Sequence, residues 1–184
     1  MPDSLPGVHL FACGWEHTFW SGGFYPEDLP DEWRLTYYAN EFGGVLVPAE
    51  RWQAADETVL HEWIDDVHEK FLFYIELTQP QPTPAEETKA IALGRHFAAW
   101  VWPQRDRSEG PVTPCRLLGL PGSSHAYLLD AALLGDLKNQ KQLLEHLAKA
   151  AGGEGNLPLF LHGSGWSVER LRQLSQLSQL LGLA

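Results

Sequence analysis

The sequence is short of positive charge, cysteine and long apolar runs, and each shortage excludes something. Thirteen Lys and Arg stand against twenty-four Asp and Glu, a formal net charge of −11. So acidic a surface repels phosphate backbones and anionic bilayers, so neither nucleic acid nor a membrane surface is an expected partner. The two cysteines, Cys13 and Cys115, form no C-x-x-C pair, which fits a reducing compartment better than a disulfide framework. No stretch approaches the roughly 20 apolar residues of a membrane span. The first residues, Met1-Pro2-Asp3-Ser4-Leu5-Pro6, lack the basic and apolar regions of a secretory signal. The expected location is the cytoplasm. There is no H-x-x-x-H, no H-E-x-x-H, no Walker lysine and no dinucleotide fingerprint, so no metal and no cofactor is expected.

What is present is enough for a core. Of 184 residues, 44% are hydrophobic, and eight are tryptophans. One domain over residues 1–184 fits that length, and core packing accounts for most of the aromatic surface.

Short, solidly apolar runs alternate with helical patterns. Residues 8–13 lie between Gly7 and Gly14 as a buried strand does. A helix follows Asp28 and Pro30, with Trp33, Tyr37, Tyr38 and Phe42 on its apolar face. Residues 45–47 make a second strand. Asp56 then caps a helix whose stripe is Val59, Leu60, Trp63, Ile64, Val67 and Phe71. Its other face carries Glu62, Asp65, Asp66 and Glu69, a solvated surface. Residues 72–75 form a third strand. Thr83-Pro84-Ala85-Glu86 is a capping box with proline at the first helical position, and the helix it opens carries Ile91, Phe97, Ala98 and Val101. Residues 103–114 form a charged, proline-bounded loop. Strands at 116–120 and 157–161 flank a long helical stretch over 126–151, which Gly135-Asp136 divides. Ser167 caps a last, leucine-rich helix.

Five strand–helix units imply an α/β fold with a parallel sheet in the order 1-2-3-4-5, an open, partial TIM-barrel-like fragment. The alternative is a doubly wound, flavodoxin-like sheet. An open fragment leaves strand edges and apolar side chains exposed. The leucines of the final helix spread over about half its circumference. Both features imply a homo-oligomer.

Several motifs occur together: Cys13-Gly14-Trp15, Trp20, Phe24-Tyr25-Pro26, Tyr37-Tyr38-Ala39 and Phe42. In kind and order this run resembles the YecE-like family, a domain of unknown function with a TIM-barrel fold. Residues 58–73, 118–121 and 159–166 resemble later segments of that family. The resemblance implies the first five units of an eight-unit barrel. It also marks departures. Leu46 and Pro48 stand where the family carries Glu and Asn, Glu76 where it carries lysine, and Phe160, His162 and Gly163 where it carries Glu, Arg and His. Packing aromatics are kept while polar groups at the strand ends are replaced.

Ligands of parallel α/β folds sit at the C-terminal ends of the strands. Placement just after the strands selects Glu16, His17, Trp20, Glu50, Arg51, His125, His162 and Trp166 as candidate ligand-binding residues. Ser123 and Ser124, beside His125, read as a helix-capping turn rather than a nucleophile. His162-Gly163-Ser164-Gly165 is not the G-x-S-x-G elbow, because His162 replaces the first glycine. The function expected from this pattern is a degenerate, non-catalytic domain that binds a small molecule or a partner. The alternative is a small-molecule enzyme with a rebuilt acid–base site among His17, Glu50 and His162.

Overall fold

The computed structural model describes residues 7–119, 125–152 and 156–183. Seven strands close into a barrel in chain order: β1 (Gly7–Cys13), β2 (Gly44–Val47), β3 (Leu72–Glu76), β4 (Phe97–Pro103), β5 (Val112–Leu118), β6 (His125–Asp130) and β7 (Asn156–His162). The β1–β2, β2–β3, β3–β4, β6–β7 and β7–β1 pairs are parallel. β5 is antiparallel to both β4 and β6. Six strands therefore run one way and β5 runs back. The helices are α1 (Arg34–Ala39), α2 (Ala49–Ala54), α3 (Glu57–Asp65), α4 (Pro84–Ile91), α5 (Leu137–Ala151) and α6 (Val168–Leu180).

This architecture overturns the open five-unit parallel fragment, and the doubly wound alternative with it. Two strands were hidden inside expected helices. The helix opened by the capping box at Thr83 ends at Ile91, and Gly94, at φ +53°, turns the chain into β4. Phe97, Ala98 and Val101 then belong to a strand. Both faces of β4 are apolar, with Ala99 and Val101 inside the barrel and Trp100 packed outside against Trp52 and Phe97. A strand covered on both sides has no alternation to betray it. β6 is the second case. Its residues suit a helix equally well, and only the helix capped by Asp136 is real. The turn expected at Ser123 and Ser124, with Pro121 and Gly122 before them, lies outside the described residues. The barrel differs from an eight-stranded parallel one in strand number and in the reversed β5.

The barrel interior is a compact aromatic plug. Phe11, Tyr74 and Phe160 meet with ring centroids 5.1–6.1 Å apart. Leu46, Val101, Leu117 and Leu128 pack around it, and Ala99 and Ala126 add little bulk, as a narrow barrel requires. Gly44 is needed beside this plug, since a Cβ there would lie 3.0 Å from the Leu72 carbonyl oxygen and 3.1 Å from the Phe11 ring.

A larger core fills the space between barrel and helices, and the motif aromatics build it. The Tyr25 hydroxyl donates to the Trp15 carbonyl at 2.6 Å. Trp20 stacks on Tyr38 with the rings nearly parallel. The Tyr38 hydroxyl accepts from Ala12 N–H and donates to the Gly44 carbonyl, each at 3.0 Å, and so bridges β1 and β2. Trp33 and Tyr37, expected on the apolar face of the first helix, are exposed.

Closure pairs every strand on both sides, so unpaired edges no longer argue for self-association. In α6, Leu171 and Leu174 are buried and Leu180 is exposed; the leucine spread is partly surface.

Candidate functional site

The C-terminal ends of the six co-directional strands share one rim. β1 ends at Cys13, and Gly14, at φ +78°, turns the chain outward with its N–H donated to the Leu46 carbonyl. β2 ends at Val47, and Pro48 starts α2, which presents Glu50, Arg51 and Gln53. β3 ends at Glu76, a buried acidic residue that lines a cleft of about 720 Å³. Its Oε2 accepts the Ala49 N–H at 3.1 Å, and its Oε1 accepts from Arg105 Nη2 at 2.7 Å. The Glu76 carbonyl accepts from Trp52 Nε1 at 3.0 Å, which ties α2 to the end of β3. Arg105 comes from the turn after β4.

A second recess of about 400 Å³ lies alongside, and Pro48 and Glu50 line both. Glu16, His17 and Arg51 also line this recess, so four of the expected residues meet there. Arg51 donates to Glu16 at 2.5 Å and lies over the rings of Trp15 and Trp63. His17 Nε2 is 2.9 Å from the Cys13 carbonyl oxygen. A carbonyl only accepts, so that nitrogen carries the proton. Burial lowers the His17 pKa, and its bonds to backbone partly restore it.

The other expected residues are placed differently. Trp20 and Trp166 are buried behind His17, joined by Trp20 Nε1 donating to the Trp166 carbonyl at 3.2 Å. They form a wall and do not line the recess. His162 ends β7 opposite Asp130 of β6 in register. Burial lowers its pKa, and the Asp130 carboxylate opposes that shift. Asp130 also accepts the Ala132 N–H at 2.9 Å. A Cβ at residue 163 would lie 3.1 Å from Asp130 Oδ1, and Gly163 has φ +111°. His125 starts β6 and pairs in register with Arg116. Because β5 runs backwards, His125 sits at the opposite end of the barrel from His162. The rule that placed it at a ligand-facing strand end fails at that reversal. Ser123 and Ser124 lie outside the described residues.

Glu76, Arg105 and Asp130 were absent from the expected set. Glu76 had a signal, since it is the charged residue that closes the apolar run of β3. Asp130 was concealed in an expected helix, and nothing local links Arg105 to β3. Burial raises the Cys13 thiol far above its usual range and pushes Cys115 up to about 12. Among the described residues, no three His, Cys, Asp or Glu side chains gather to hold a metal ion, and no helix is long and apolar enough to cross a membrane.

Residues 10–98 match the model of a family described as "Protein of unknown function DUF72". Over that span the chain is similar to DUF72, the YecE-like family. The matched span runs from β1 into β4 and contains the motif aromatics, Glu76 and both sides of the smaller recess. A solved DUF72 family protein from Thermotoga maritima MSB8 shares the fold with a TM-score of 0.54, over 96% of this chain and 99% of that one. The two are 11% identical, so the likeness is one of fold. No curated protein matches the chain in sequence.

Proposed function

We propose that this protein is a non-catalytic binding domain that seats a small polar molecule at the C-terminal rim of its barrel. The observation carrying this reading is that the strand-end groups suited to catalysis are engaged internally. Glu76 is held by Arg105 and the Ala49 N–H. Glu16 is held by Arg51, and His17 spends its donor on the Cys13 carbonyl. A general base must reach a substrate proton and a nucleophile must be activated. The Cys13 thiol is instead held protonated by burial. The cleft beside these groups has the volume and mixed polarity of a small-molecule site.

The test is amide chemical-shift mapping with a panel of small cations, carboxylates and polyols. At least one class should shift the amides of Ala49, Glu50, Leu77 and Thr78. If no panel member shifts them, the reading fails.

One observation favours a second reading. His162 and Asp130 are paired in register at the rim, and burial favours a neutral imidazole. That arrangement suits acid–base catalysis. It predicts a turnover abolished by His162→Gln, whereas the binding reading predicts none to abolish.

A further inference from the structure

The Glu76 side chain is only 11% exposed, yet its counter-charge comes from outside. The Arg105 side chain is 66% exposed and is carried on a three-residue turn. A buried carboxylate requires a partner, but an ion pair with an exposed arginine is weak and exchangeable. Glu76 Oε2 is anchored separately by the Ala49 N–H, so the carboxylate stays in place if Arg105 leaves.

The rest of the cleft has the same polarity. Glu50 and Asp106 line it, and neither has an ion-pair partner among the described residues. Among the described residues that line the cleft, Arg105 is the one cation beside three carboxylates. Removing it to solvent would leave a pocket of uncompensated negative charge, which repels anions and selects cations. The half-buried Trp102 indole adds an aromatic surface suited to a planar cation.

Resting on the binding reading above, we propose that Arg105 is an internal stand-in for the ligand. The cleft takes small guanidinium or ammonium compounds, whose cation replaces the Arg105 guanidinium on Glu76 Oε1. Arg105 is thus an autoinhibitory contact as well as a wall of the site.

Calorimetric titration of the full chain tests this, with agmatine as the cationic probe, glutarate as the anionic one and ribitol as the neutral one. Agmatine should bind more tightly than the other two. Arg105→Ala should tighten agmatine by about fivefold, the order expected when a weak competing ion pair is removed. Glu76→Gln should abolish binding while keeping the native near-UV circular dichroism. If that variant fails to fold, Glu50→Gln and Asp106→Asn should each weaken agmatine instead. Preference for glutarate, equal affinity for ribitol, or weaker agmatine binding by Arg105→Ala would overturn the stand-in and leave the cleft as a binding site. If no probe binds and the wider panel of cations, carboxylates and polyols also leaves the rim amides unshifted, the binding reading falls as well.

Discussion

Tyr38→Phe is the sharpest test of how the barrel is held at its first seam. The side chain is fully buried, and its hydroxyl takes the Ala12 N–H and gives to the Gly44 carbonyl, each at 3.0 Å. The β1–β2 ladder is short, with Ala12 opposite Val45 and Cys13 opposite Leu46, so a side chain supplements the pairing of the two strands. Phenylalanine keeps the ring and its stacking on Trp20 and Phe42. It removes one oxygen and takes a partner from two buried backbone groups. A buried group deprived of its hydrogen bond costs about 1–3 kcal/mol. Allowing some relaxation, the variant should lose about 2–4 kcal/mol. In a domain of this size that lowers Tm by roughly 5–15 °C. Urea unfolding of the variant beside Tyr37→Phe measures it. Tyr37 is 38% exposed, and its loss should stay within about 0.5 kcal/mol. A Tyr38→Phe variant as stable as the wild type would refute the bridging role.

Burial holds His17 and His162 below the ordinary pKa of 6.5, so the folded chain binds fewer protons than the unfolded one in mild acid. Their contribution to stability is complete above about pH 6.5 and is lost as the pH falls below it. The His162→Gln variant should therefore lose less Tm than the wild type between pH 7 and pH 5, and equal losses would count against a buried imidazole. The thiols of Cys13 and Cys115 should resist Ellman's reagent at pH 8 in the native protein and react on unfolding, because burial keeps both protonated; rapid native labelling would contradict this. Thr83→Ala removes the Oγ1 that accepts the Glu86 N–H at 3.2 Å while leaving the residue 83 N–H free to donate to the Glu86 carboxylate, and should cost about 1 kcal/mol in thermal or urea unfolding.

Features under local chemical control could be read from the residues alone. Asp56, Thr83 and Asp136 cap helices as expected, because a capping oxygen and the amide it satisfies are two or three residues apart. β1, β2, β3 and β7 were legible as short apolar runs between turn residues, and the aromatic motif run carried the family. Residues 97–103 and 125–130 owe their conformation to contacts distant in the chain. Apolar on both faces, they fit a helix or a doubly covered strand equally well, and long-range pairing with β3, β5 and β7 selects the strand. That choice closes the barrel, reverses β5 and sends His125 to the end opposite His162. The site follows the same division. Glu16, His17, Glu50 and Arg51 could be placed from sequence because each closely follows a readable strand. The pairing of Glu76 with Arg105 could not, because their 29-residue separation is bridged only when β3 and β4 lie side by side.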